Sequence, residues 1–276
     1  EQAIEQFNAA LAINPHDTEA LKALARVHQG SESWDDLVQV LRRTVEVTQD
    51  PAEVNELRLK VGEILEDRLN DFDGAVVEYG GVLQSDPANL SAMRGLERIY
   101  ARLGRSQDLL HVLELQLDVV PTERERIKIL GRLASMQEEE FVKPDLAIER
   151  FEQIVEIDPT HDNALRGLER LYRQTGRWNE LVQTLERHLQ ATPERRDRVP
   201  IFVQMGRVYA DEIRDLDHAE DAFLNVLQID EQNTDALDAL ARIYEARGDH
   251  HRSLDMMEQL ARLISADRTR AVELRF

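Results

Sequence analysis

Residues 92–100 read AMRGLERIY and residues 164–172 read ALRGLERLY, so seven of nine positions are identical at an offset of 72 residues. The same offset joins the dipeptides Asn-Pro at 14–15 and Asp-Pro at 86–87 and 158–159. It also joins four aromatic residues without a gap, namely Phe7, Tyr79, Phe151 and Phe223. A fixed period of this kind indicates a repeat protein, in which each structural unit contacts mainly its neighbours.

Each 72-residue module predicts four helices, because apolar residues recur at spacings of three and four between helix breakers. In the clearest module we expect helices at about 122–141, 145–157, 161–175 and 178–190. Proline interrupts helices at Pro144, Pro159 and Pro193, and glycine can close them in the left-handed conformation at Gly104, Gly176 and Gly248. As N-caps we expect Asp73, Asp145, Asp217 and Asn163.

The longer hairpin of each module carries small residues at fixed positions of its two helices. The first helix has Gly62, Ala134 or Gly206, and the second has Ala75, Ala147 or Ala219, followed four residues later by the aromatic residue. This pattern resembles the tetratricopeptide repeat (TPR) family, whose period is about 34 residues. The shorter hairpins depart from it, since Glu97 and Glu169 stand where the family prefers glycine.

The resemblance implies an all-α fold, an α-solenoid built as a right-handed superhelix of antiparallel helical hairpins with about 16 helices. We expect a single TPR-like solenoid fragment over residues 1–276. Its modules are expected at approximately 1–50 (partial), 51–121, 122–193, 194–265 and 266–276, the last being the start of a further repeat. Glu1 opens in mid-helix, so we expect a fragment without its true N-terminus, cut from a longer array.

Composition excludes several functional classes. Lys and Arg total 34 against 54 for Asp and Glu, and the formal charge of -20 disfavours binding to nucleic acid. The absence of cysteine excludes disulfides and thiol catalysis, and leaves the compartment open with the cytoplasm slightly favoured. Apolar runs are far too short for a membrane span, which needs about 20 residues.

No pattern in the sequence indicates chemistry. We find no glycine-rich phosphate loop, no nucleophile elbow and no recurring Ser, His and Asp arrangement. His250 and His251 do not recur at the 72-residue offset, so no metal site is expected. We therefore expect no enzyme and no cofactor, with catalysis elsewhere on a longer parent chain as the remaining alternative.

The first helices of TPR hairpins line the partner-binding surface in this family, so the resemblance implies that cationic residues there meet a partner. This cationic row consists of Lys22, Arg26, Arg94, Arg98, Arg166, Arg170 and Arg242. A guanidinium pairs with carboxylates in a bidentate manner, which favours an acidic peptide or protein partner. The alternative is an internal ladder of ion pairs with acidic residues of neighbouring hairpins, such as Glu56, Glu63, Glu66, Glu138 and Glu139.

The function that we expect is a scaffold for protein–protein interaction. The chaperone-tail receptors of the family use asparagines where this sequence has arginine, so that specificity is not expected. The alternative function is a structural, self-assembling repeat protein, because an apolar helix face at the N-terminus could associate end to end. That face consists of Ala3, Ile4, Phe7 and Leu11.

Overall fold

The computed structural model describes the backbone of residues 2–273 and the side chains of residues 2–265. Over these residues the protein contains fifteen α-helices and no strand, which confirms the all-α class. The helices divide into two compact units, unit 1 (residues 1–140) and unit 2 (residues 141–276). Within each unit consecutive helices pack against one another, as expected for a solenoid.

Unit 1 contains eight α-helices in the part that the structure describes. They are α1 (Gln2–Ile13), α2 (Thr18–Gly30), α3 (Trp34–Val47), α4 (Pro51–Ile64), α5 (Phe72–Ser85), α6 (Leu90–Leu103), α7 (Ser106–Val119) and α8 (Glu123–Glu139). A π-helical turn, Leu65–Leu69, extends α4.

Unit 2 contains seven α-helices among its described residues. They are α9 (Pro144–Ile157), α10 (Asp162–Thr175), α11 (Trp178–Ala191), α12 (Val199–Arg207), α13 (Leu216–Ile229), α14 (Thr234–Ala246) and α15 (His250–Glu273). A 3-10 turn, Arg196–Arg198, precedes α12, and a π-helical turn, Val208–Ile213, extends it.

The helix ends follow the breakers in the sequence. Gly104, Gly176 and Gly248 have φ angles of +66°, +70° and +76°, which confirms the left-handed closures. The expected N-caps are wrong by two residues in the long hairpins, because Asp71 and Asp215 accept the free backbone N–H groups at the starts of α5 and α13. The residues expected as caps are instead the second residue of their helices, within the first turn; they are Asp73, Asp145, Asp217 and Asn163.

The aromatic residues fill the space between hairpins, as the sequence predicts. Tyr79 is only 1% exposed and lies between Gly62 on α4 and Gly95 on α6. A Cβ atom added to these glycines would lie 2.6 and 2.5 Å from ring carbons of Tyr79. In unit 2 the ring of Phe223 packs against Gly206 in the same way, with 2.7 Å to an added Cβ. The small residues therefore permit the close packing of the hairpins.

A left-handed residue follows the first helix of every long hairpin. Asn70, Val142 and Arg214 are 72 residues apart and have φ angles of 54°, 50° and 64°. Asparagine tolerates this conformation, whereas a β-branched residue is strained in it. Val142 is also 76% exposed, so no packing compensates for that strain.

The last helix is longer than the sequence predicts. We expected a break near residue 265 before a further repeat, but α15 runs from His250 to Glu273 without one. The helix breakers Pro121 and Pro193 have Ser265 at their equivalent position, so the helix can continue. The described residues form fifteen helices, consistent with the expected solenoid of about 16, and residues 274–276 of the expected further repeat lie outside them. Among the described helices none has the length and hydropathy to cross a lipid bilayer.

Candidate partner-binding surface

In unit 1 the cationic row bridges neighbouring helices. The Lys22 ammonium on α2 lies 3.2 Å from a carboxylate oxygen of Glu53 on α4. The Arg94 guanidinium on α6 lies 2.7 Å from Glu125 on α8. All four side chains are well exposed, so each pair contributes at most about 1 kcal/mol to stability. These contacts correspond to the internal ladder.

Arg98 makes a stronger contact than the other members of the row in unit 1. Its Nε and Nη2 atoms each donate to Glu66 at 2.8 Å, and the Tyr79 hydroxyl donates to the same carboxylate at 3.0 Å. Glu66 is only 6% exposed, so both of its oxygens are satisfied inside the protein. Burial, together with the neighbouring Glu66 charge, raises the pKa of Tyr79, and the hydrogen bond that Arg98 donates to Glu66 raises the pKa of Arg98.

The remaining arginines are held differently. Arg166 and Arg242 pair with the aspartate four residues earlier on the same helix, at 2.9 Å from Asp162 and 2.7 Å from Asp238. Their side chains are 67% and 76% exposed. Arg170 also has an interaction partner. Arg26 is exposed and makes no ion pair with the described residues.

The two glutamates at the family's glycine position are paired from the neighbouring helix. Glu97 accepts from the amide of Gln116 on α7 at 2.7 Å and also pairs with Arg132. At the equivalent positions of unit 2, a ring nitrogen of His188 on α11 lies 2.5 Å from Glu169. Sequence reasoning missed these pairs, although Gln116 and His188 are separated by the 72-residue period and could have been found by it.

Two cavities open beside the exposed arginines of unit 2. One of about 450 Å³ lies between α10, α11 and α12 and is lined by Arg166 and His188. The other, of about 390 Å³, lies between the extended α12, α13 and α14 and is lined by Arg242 and Phe223. Both cavities are lined by charged side chains together with apolar ones.

Helical hairpins of constant period, with aromatic rings packed against small residues, define a helical-repeat protein of the kind that serves as an interaction scaffold. The family model for the tetratricopeptide repeat matches residues 164–199 and 236–271, which are equivalent segments one module apart. Both matched segments are thus similar to tetratricopeptide repeats. Both matches begin in a short hairpin, which reverses the expectation that the long hairpins are the more family-like.

Several solved structures match the chain at low sequence identity and with TM-scores below 0.5. MamA is 17% identical, with a TM-score of 0.42 over 75% of this chain and 96% of its own. YrrB, described as a TPR protein with an unusual peptide-binding site, is 16% identical, with a TM-score of 0.39 over 66% and 90%. A repeat protein from Parabacteroides merdae is 15% identical, with a TM-score of 0.41 over 89% and 93%. No curated protein matches the sequence significantly.

Proposed function

We propose that the protein is a scaffold that binds a peptide or protein partner through the face of unit 2 formed by α10, α12 and α14. The observation that carries this proposal is the state of Arg166 and Arg242. Each is more than half exposed and borders a cavity, and among the side chains that the structure describes each is paired only with an aspartate of its own helix. Exposed pairs at this spacing contribute about 0.3–0.5 kcal/mol, so a partner can displace them at little cost.

Unit 1 is a poorer candidate for the same role. There Arg98 is engaged with a buried carboxylate, and Lys22 and Arg94 are engaged with neighbouring helices. Arg26 has no ion-pair partner among the described residues, but it lines neither of the two cavities. Tetratricopeptide arrays are generally non-enzymatic scaffolds, and we propose no catalytic or cofactor-dependent role for this one. The partner is expected to carry at least one carboxylate, since a guanidinium is the exposed group beside both cavities.

Quantitative affinity capture tests the scaffold proposal. The wild type is compared with Arg166→Glu/Arg242→Glu and with a matched control, Arg43→Glu/Arg262→Glu, which makes the same charge change at exposed positions away from the face. We expect at least one protein to be retained by the wild type and the control and to be lost from the first variant. It should then bind the purified wild type directly in calorimetry. Equal recovery by all three proteins would contradict the proposal.

A second candidate function, self-assembly, is favoured by an apolar stripe on α15. Leu254, Met257 and Ile264 lie on one face of this helix and are 61%, 43% and 56% exposed. Their equivalents on α11 for the first two positions, Val182 and Leu185, are 5% and 0% exposed, and α12 packs against that helix. We propose that this face of α15 binds a helix of a second copy of the protein, in the way that α11 binds α12.

The N-terminal face supports this candidate only in part. Leu11 is 4% exposed, which corrects its expected place in an open face, whereas Phe7 remains partly exposed and Ala3 is exposed. Sedimentation velocity over a concentration series tests self-assembly. The mass of the wild type should rise with concentration, and that of Leu254→Ser/Met257→Ser should not. A monomeric wild type at every concentration would contradict it.

A further inference from the structure

The same register position is built in two different ways in the two units. Glu66, Tyr79 and Arg98 of unit 1 correspond, two modules later, to Ala210, Phe223 and Arg242 of unit 2. The local backbone is equivalent, because the N–H of Asp71 donates to Leu65 O and the N–H of Asp215 donates to Tyr209 O, both at 2.8 Å across the π-helical turn. The comparison therefore isolates the effect of the side chains.

In unit 1 a glutamate of the protein fills this position. Its carboxylate lies under the guanidinium of Arg98, with both oxygens accepting hydrogen bonds from arginine or tyrosine, and it is almost fully buried. The contact shows that this part of the fold can seat a carboxylate in bidentate contact with the arginine. It also fixes where the carboxylate enters, from the end of the first helix of the long hairpin.

In unit 2 the glutamate is replaced by Ala210 and the tyrosine by Phe223, so neither the carboxylate nor its hydroxyl partner is present. The position is instead a cavity of about 390 Å³ with Ala210, Phe223 and Ile243 among its lining residues. Arg242 is directed to Asp238 on its own helix, at 2.7 Å, and remains 76% exposed. Arg242 thus occupies the same position in the repeat as Arg98 but lacks the buried carboxylate that Arg98 binds.

We infer that this cavity is a socket for a glutamate side chain of the partner, which Arg242 would grip as Arg98 grips Glu66. The inference deepens the proposed function and rests on it. The apolar lining residues, Ala210, Phe223 and Ile243, can contact the methylene groups of a glutamate. The guanidinium of Arg242 can bind its carboxylate in bidentate contact. A bidentate, charge-assisted contact away from solvent is stronger than the exposed pair with Asp238 that would be given up.

The rim of the socket restricts the partner further. Asp211, Asp235 and Asp238 line the cavity, and Arg207 is already paired with Asp235 at 2.7 Å. These aspartates repel a doubly charged phosphate more strongly than a singly charged carboxylate, so of these two anions the socket favours the carboxylate. The same aspartates favour a lysine or arginine next to the glutamate in the partner sequence.

Selection from a random peptide library displayed on phage tests the socket. The targets are the wild type, Ala210→Glu, which supplies the carboxylate from within as Glu66 does, and Gln228→Glu. The last makes the same charge change at an exposed position of α13 that does not line the cavity. Circular dichroism confirms that each variant is folded before selection.

We expect peptides selected on the wild type to share one glutamate with a basic neighbour. Affinity should fall at least tenfold on Ala210→Glu or on changing that glutamate to glutamine in the peptide, and should be unchanged on Gln228→Glu. Peptides without a fixed carboxylate, or with equal affinity for Ala210→Glu, would overturn the socket. If peptides of that kind fail to bind an additional target, Arg166→Glu, the proposed function survives without the socket. If no peptide is enriched on any target, both proposals are contradicted.

Discussion

Replacing Gly95 by alanine tests the packing that defines the repeat. Alanine is a better helix former than glycine by about 1 kcal/mol, so the change should stabilise a helix wherever there is room. At Gly95 there is none, because the new Cβ would lie 2.5 Å from a ring carbon of Tyr79, where carbon atoms normally approach to about 3.5–4.0 Å. The ring cannot retreat, since Gly62 lies equally close on its other side.

The expected magnitude follows from these contacts. Overpacking a buried site costs about 1–3 kcal/mol, and a required displacement of about 1 Å places Gly95→Ala at the upper end. Tyr79 is 1% exposed and its hydroxyl is tied to Glu66, so the ring has no alternative position. After the gain in helix propensity, the net loss should be about 2 kcal/mol.

Native-state hydrogen exchange of the α5 and α6 amides is the suitable assay, because repeat arrays unfold in steps rather than all at once. The matched control is Gly80→Ala on α5, where an added Cβ meets no atom within 4 Å. It should stabilise the protein by up to about 1 kcal/mol. Equal protection in the two variants would refute the packing argument.

Three further predictions test other parts of the structure. Val142→Asn should stabilise unit 2 by about 0.5–1 kcal/mol in urea unfolding, because asparagine relieves the left-handed strain. His188→Leu should destabilise it by about 1–3 kcal/mol by leaving Glu169 buried without its partner, whereas Glu169→Ala/His188→Leu, which copies Ala241 and Leu260, should be nearly neutral. The pKa values of all five tyrosines are raised above 10.0, chiefly by burial. Because the folded state therefore favours the neutral phenol, the tyrosines contribute fully to the stability of the fold below pH 10, and this contribution is lost as the pH rises above it. Phenolate absorbance should therefore appear only with unfolding, and Tyr79→Phe should shift that transition to higher pH; the tyrosines are Tyr79, Tyr100, Tyr172, Tyr209 and Tyr244.

Much of the fold is predictable because breakers and periodicity act locally. The predicted helices at 145–157 and 161–175 are observed as Pro144–Ile157 and Asp162–Thr175. N-caps are less predictable, because aspartate is favourable both at the cap and in the first turn. The expected helix break near residue 265 is not observed. The repeat register continues there, but the proline that would end the helix has been replaced by Ser265.

The candidate site is predictable only at the level of which helices carry it. The repeat register correctly predicted arginines on α6, α10 and α14, but it could not show which of them form ion pairs with buried carboxylates of the protein. Arg98 depends on a glutamate 32 residues away and on the tyrosine that holds it, and Arg242 on an aspartate of its own helix. The substitution of Ala210 for glutamate is visible in the sequence, yet its consequence, a cavity, emerges only from three-dimensional packing.

The central claim is that Arg98 stabilises unit 1, whereas Arg242, at the same register position two modules later, remains available to a partner in unit 2. The most direct test compares Arg98→Gln with Arg242→Gln by native-state hydrogen exchange of the helices around each. Arg98→Gln should cost about 1.5–3 kcal/mol, because Glu66 loses its bidentate partner while staying buried. Arg242→Gln should cost no more than about 0.5 kcal/mol, because it loses only an exposed pair within one helix. Equal losses in the two variants would contradict the claim.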